Sequence, residues 1–194
     1  MTKLRLNWQT LLCVGLLTGI VLSTASCGWI KPFHPTPLDA LTEFPGYLSE
    51  ADLGSVRALQ QIEIAGGVVV LYRHLDHRDW FEGVEQLSVT FVTPEGQGWR
   101  AQASGGCGIP ASSGFVACYA VGGNITPLTS AYGLSQEGSQ VRIYWADKKT
   151  HEVDLADNGS FLLSRPSSVQ VRRIELLDEN GRILAIKDLQ QGIE

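Results

Sequence analysis

The chain has 194 residues, with 15 Lys and Arg against 20 Asp and Glu for a formal charge of −5. That acidic balance lacks the basic footprint a phosphate backbone requires, so nucleic acid is excluded as a partner. Apolar residues reach 44% and Gly numbers 21, while Val, Ile, Thr and aromatic residues fall in short runs, which favours strands over helices.

The first residues set the compartment. Lys3 and Arg5 precede an apolar stretch over residues 11–22 and the small-residue run Ser23-Thr24-Ala25-Ser26, which together have the build of a secretory signal peptide. The following Thr24-Ala25-Ser26-Cys27 resembles the lipobox of bacterial lipoprotein precursors. That resemblance implies a lipid on Cys27, and Gly28 stands where such proteins carry Asp when they are kept at the inner membrane. A second reading is an uncleaved anchor: no charge occurs over residues 6–30, and a run of about 20 residues is enough to span a bilayer. Both readings place the bulk of the chain outside the cytoplasm, in the cell envelope, with the membrane as its first partner. Without Lys3 and Arg5 the remainder carries 13 basic against 20 acidic residues, a charge of −7.

Four segments are expected: residues 1–26 as signal or anchor, 27–48 as a tether, 49–133 as a β-rich unit with a short leading helix, and 134–194 as an antiparallel β unit. Pro32, Pro35, Pro37 and Pro45 give the tether an extended, semi-rigid character. Ser49-Glu50-Ala51-Asp52 offers an N-cap with acids in the first turn, and Leu53, Val56 and Leu59 recur every third residue, so the spacing predicts a helix over 50–60.

Beyond it the period changes to two. Ile62 and Ile64 alternate with polar neighbours, and Gly66-Gly67 turns the chain. The continuous run Val68-Val69-Val70-Leu71-Tyr72 reads as a strand buried on both faces. Leu87, Val89 and Phe91 form another strand, Thr93-Pro94-Glu95-Gly96 a turn, and Trp99 to Gln102 the returning partner. Residues 115–121 read as a strand, whereas 122–138 has no period and is the expected internal boundary. Val141, Ile143 and Trp145 face one way in the next strand, and Asn158-Gly159 predicts a type I′ hairpin turn. Val169 and Val171 share one parity but Ile174 and Leu176 the other, so a β-bulge is expected at Arg172-Arg173. Hairpin-linked strands at this spacing predict a mainly β fold, an antiparallel β-sandwich. The pattern over 141–184 resembles the immunoglobulin-like modules of bacterial surface proteins.

Cys107 and Cys118 are the cysteines left for the exported domain, and an oxidising compartment predicts a disulfide between them. His74-Leu75-Asp76-His77 resembles the later part of the HxHxDH motif of metallo-β-lactamase-type hydrolases, with Tyr72 where the first His of that motif belongs. The resemblance implies a metal-dependent hydrolase in which His74, Asp76 and His77 hold zinc and activate water; the competing reading is a polar loop after a buried strand. No G-x-S-x-G elbow occurs, and the expected function is that of a non-catalytic binding or structural module, free of cofactor. Trp80 and Phe81, with Tyr132, are the expected recognition patch for an envelope protein or glycan, while Trp99 and Trp145 are expected in the core.

Overall fold

The computed structural model describes residues 34–43, 53–76, 84–122 and 127–189, within a unit spanning Phe33–Glu194. Strands β1 (Arg57–Ile64), β2 (Gly67–Asp76), β3 (Val84–Glu95) and β4 (Gly98–Gly108) form an antiparallel meander. A second sheet runs in the order β5 (Phe115–Gly122), β6 (Leu128–Ser135) and β9 (Ser160–Arg165). A third has β11 (Ile183–Asp188), β10 (Val171–Leu177), β7 (Gln140–Trp145) and β8 (Thr150–Asp154) in that order. The mainly β, antiparallel expectation therefore holds.

The three sheets are stacked, and side-chain alternation explains how. Val69, Leu71, Leu87, Val89 and Phe91 of the first sheet meet Val116, Leu128, Tyr132 and Leu162 of the second. The opposite face of that second sheet gives Ala117, Ala131 and Phe161 to a separate cluster with Val141, Ile143, Trp145, Val171, Ile174 and Leu176 of the third. The β5-β6-β9 sheet is thus the middle layer of a three-layer stack. Within its face toward the third sheet, Gly133 of β6 leaves space for the Phe161 ring of the neighbouring β9. A Cβ at Gly133 would collide with the Phe161 ring and with the carbonyl oxygen of Val116.

The middle layer explains the segment in which no period was legible. Strand β6 lies inside it and crosses position 134, and it is buried along nearly its whole length. A strand covered on both faces has no polar side to alternate with.

The first two sheets are also closed at their edges. Cys107 at the end of β4 is disulfide-bonded to Cys118 of β5, as expected from the sequence. On the other side Gln60 Nε2 donates to the carbonyl of Ser160 at 2.8 Å and Asn158 Nδ2 to that of Leu59 at 3.0 Å. An exposed strand edge is a template for unwanted pairing, and these side-chain links tie the four edge strands of the two sheets together in pairs.

Several local expectations need correction. The helix over 50–60 is not formed across Arg57–Gln60: those residues open β1, which pairs antiparallel with β2; residues 50–52 lie outside the described residues. The i, i+3 spacing of Leu53, Val56 and Leu59 is real, and Val56 N closes a turn on Leu53 O at 3.3 Å, but Gln60 to Ile64 prefers a half-buried strand. The turn expected at Thr93-Pro94-Glu95-Gly96 lies two residues later. Thr93 and Pro94 pair with Arg100 and Trp99, and the loop is Gly96-Gln97. Gly96 has φ +60°, the left-handed first position of a type II′ hairpin. Pro94 is tolerated because β2 ends its pairing at Val92 and needs no N–H beyond it.

Asn158-Gly159 does not form a type I′ turn, since among the described residues only Gly159 of that pair has positive φ. Gly159 N donates to Ala156 O at 2.8 Å and Ala156 N to Ser160 O at 2.9 Å, a three-residue loop closed by a left-handed glycine. Trp145 to Lys149 and Asp178 to Arg182 repeat the same bond pattern, with Lys148 and Gly181 left-handed. The bulge at Arg172-Arg173 is present: the β10–β7 register shifts between Val171 and Arg173, leaving both arginines exposed.

Residues 34–43, inside the stretch expected as a tether, pack on the first sheet. His34 bridges Trp99, and the 3₁₀ turn Asp39–Glu43 buries Ala40 and Leu41 against Val68, Val70, Tyr72 and Val92.

Candidate functional site

Alternation along β2 sends Val69, Leu71 and Arg73 to the same side. The first two enter the core between the first and second sheets, and Arg73 emerges at the end of that core. Its Nε lies 3.4 Å from Oε1 of Glu85, with both side chains exposed. Here two clefts of about 500 and 710 Å³ open side by side and share Arg73, Leu134, Ser135 and Gln136. The first has Ile109, Pro110 and Val116 along its floor, the second Leu59, Leu155 and the 156–159 turn.

The walls of this groove are pinned by hydrogen bonds. Ser113 N donates to Pro110 O at 2.9 Å and Ser113 Oγ to Phe115 O at 2.6 Å. Ser135 Oγ and Gln136 N both donate to Gly114 O at 3.2 Å. Across the groove, Asn158 holds its own turn through Ser160 N and Ser160 Oγ at 3.0 and 2.6 Å. Such a groove offers an apolar floor, hydroxyl and amide rims, and one cation, Arg73, among the acids Glu85, Glu137 and Asp157. It suits an extended polar chain laid along it, since few polar groups placed on an apolar surface are what orient a ligand.

The residues expected to hold a metal fall elsewhere. His74 and Asp76 are both buried on the outer face of the first sheet, and His77 lies outside the described residues. His74 Nε2 is in hydrogen-bond contact with Ser88 Oγ at 3.2 Å, and Nδ1 lies 3.3 Å from Leu75 O. With both ring nitrogens engaged, neither is free to coordinate a metal. Among the described residues no group of three or more His, Cys, Asp and Glu is arranged to hold a metal ion.

The same face carries a chain of hydroxyls. Tyr72 OH reaches Thr90 Oγ1 at 3.2 Å, Thr90 donates to Ser104 Oγ at 3.0 Å, and Ser104 donates to Val89 O at 3.2 Å. The Tyr72 and His74 rings stack with centroids 5.6 Å apart. Gly106, paired with Ser88, leaves room for the serine hydroxyl, which a Cβ there would approach to 2.5 Å. His74 and Ser88 have base and nucleophile chemistry, but Nδ1 faces a backbone carbonyl where a catalytic base would be oriented by a carboxylate. The contacts make this band a buried network that fixes cross-strand register.

Tyr132 is corrected from recognition patch to core. It faces the first sheet from the middle layer and is 1% exposed; burial, then the nearby Tyr72, pushes its phenol well above the ordinary range. Its aromatic type was legible but its place in a two-sided strand was not. Trp80 and Phe81 lie outside the described residues, as does Cys27. Trp145 is core as expected, under the Arg165 guanidinium at 4.7 Å, and Trp99 is partly buried. Among the described residues no helix is long and apolar enough to cross a membrane.

The groove was missed in the sequence because its residues are scattered from Leu59 to Gly159. The one available signal was Arg73, a charge at a core-parity position immediately after an apolar run. A scan against protein-family models, a search of curated proteins and a search of solved structures each return no match to this chain.

Proposed function

We propose that this chain is an exported, membrane-tethered β-sandwich module of the bacterial envelope that binds an extended envelope protein or glycan without catalysis. The observation that carries the reading is the groove at Arg73, continuous across two clefts and walled by residues that hydrogen bonds and the Cys107–Cys118 disulfide hold in place. A pre-formed groove spares a ligand much of the ordering cost of binding. The disulfide fits an oxidising compartment, and the resemblance of residues 24–27 to a lipobox supplies the tether through a lipid on Cys27. The hairpin pattern over 141–184, which resembles immunoglobulin-like modules, supports the sandwich part of this reading.

A photo-crosslinking amino acid at Gln136 of the intact protein in its native membrane tests the groove. A discrete adduct from Gln136 that is absent from Arg182, and lost with Arg73→Glu, supports the reading; the same products from both positions would sink it. Radioactive fatty acid tests the tether separately, because label retained by Cys27→Ala would remove the lipid assignment and leave the groove untouched.

A further inference from the structure

We propose that β11 is a contact between two copies of this chain, which pair antiparallel about a two-fold axis through Ala185. Strand β11 is the edge of the third sheet, and it exposes Ile183, Leu184 and Ile186 to 46%, 45% and 50%. The register of β10 with β11 moves from Leu176–Ala185 to Leu177–Ile183. The extra residue, Leu184, is a bulge that turns two successive apolar side chains outward. The opposite edge of the sheet, β8, is short and carries His151, Glu152 and Asp154, the charged composition that blunts an edge. The other two sheets are tied to each other at both sides, β4 to β5 by the disulfide and β1 to β9 by the Gln60 and Asn158 hydrogen bonds. Among the described residues, β11 gathers three of the seven exposed large apolar side chains on one edge strand.

The sequence of β11 is complementary to itself. Antiparallel pairing centred on Ala185 sets Leu184 against Ile186 twice and Arg182 against Asp188 twice, with Ile183 beside the stem of Lys187. Opposite charges and apolar pairs directly across a ladder both stabilise it. Moving the axis to Lys187 or Asp188 opposes like charges, and moving it to Ile186 sets Leu184 against Asp188. A foreign strand would have no need of such two-fold matching, whereas an isologous dimer requires it. Arg173, which already holds Asp188 at 2.8 Å from β10, leaves the second carboxylate oxygen for Arg182 of the other copy. A seven-residue pairing covers little surface, so the dimer is weak and concentration-dependent.

The test uses the intact chain in detergent micelles. Ala185→Cys, oxidised with copper phenanthroline, is expected to give a disulfide-linked dimer several-fold above the wild-type chain, which reports any linkage through Cys13 or Cys27. Adding Ile186→Lys is expected to abolish the excess while leaving the thermal midpoint unchanged, because Ile186 is exposed. Sedimentation of chains without the new cysteine is expected to show a concentration-dependent dimer that Ile186→Lys removes. No excess over wild type, equal linkage from Ile186→Cys, or sedimentation as a monomer at every concentration would each overturn the proposal.

Discussion

The Tyr144 hydroxyl donates to Oε2 of Glu175 at 2.9 Å, across the β7–β10 pair on the outer face of the third sheet. Glu175 is 4% exposed, and the guanidinium groups of Arg142 and Arg173 stand 3.5 and 3.8 Å from its two oxygens. Each arginine holds a second acid more closely, Arg142 to Glu152 at 2.7 Å and Arg173 to Asp188 at 2.8 Å. These partners hold both arginines fully in their charged form, Glu152 contributing most for Arg142 and Asp188 most for Arg173. The tyrosine therefore makes the shortest bond that the buried carboxylate has among the described residues. Tyr144→Phe is expected to cost about 1.5 to 3 kcal/mol, the range for a hydrogen bond to a charged group. Urea unfolding of the variant measures it, and a loss under about 0.5 kcal/mol would show that the arginines alone satisfy Glu175.

Gly133 sits where β6 passes beneath Phe161, with φ in the ordinary range, so its role is space. Gly133→Ala forces its methyl against the Phe161 ring and the Val116 carbonyl, and overpacking of this kind costs about 1 to 3 kcal/mol, occasionally more. The backbone oxygen cannot move aside as a side chain can, so the upper end is expected. Pairing the change with Phe161→Leu should recover only part of the loss. Full recovery would show that the ring was the whole obstacle.

What was legible in the sequence depended on one-sided burial. Val141, Ile143 and Trp145 could be placed because their neighbours Arg142 and Tyr144 face water, and the parity slip at Arg172 and Arg173 was visible for the same reason. In β6 the rule fails: Leu128, Tyr132 and Leu134 serve one core while Ala131 serves the other. With no solvent face, Thr129, Ser130 and Gly133 read as loop composition, and Tyr132 read as a surface aromatic. The helix expected over 50–60 does not extend past Val56, because Leu53, Val56 and Leu59 satisfy a helical spacing while pairing with β2 decides for a strand from Arg57. The groove depends on contacts such as Leu59 with Asn158, whose sequence separation no local pattern reports.

The Cys107–Cys118 bond has a sequence separation of 11, and loop-closure entropy for that length assigns it roughly 3 kcal/mol. It also joins β4 to β5 where no backbone ladder connects the first two sheets. Cys107→Ala with Cys118→Ala is expected to lower stability by about that amount and to raise hydrogen exchange first in β4 and β5. Uniform exchange across all three sheets would show that the bond acts only on the unfolded chain.

Asp147 occupies the turn after β7, where its carboxylate takes the Arg165 guanidinium at 2.9 and 3.4 Å and Lys149 N at 3.2 Å. The hydrogen bond from Arg165 comes first in holding its carboxyl below the usual carboxylate range, against a smaller upward push from burial. A carboxyl whose folded pKa is depressed binds its proton more readily in the unfolded chain. Its contribution is therefore present above the unfolded pKa of about 3.9 and is lost as pH falls through the lower folded value. The same contact poses Arg165 over the Trp145 ring, so the loss reaches the core of the third sheet. Asp147→Asn is expected to be less stable than the native chain at pH 7, and the difference between the two should shrink as urea midpoints are taken from pH 5 to pH 2. A gap that stays constant over that interval would mean that the charge of Asp147 contributes nothing.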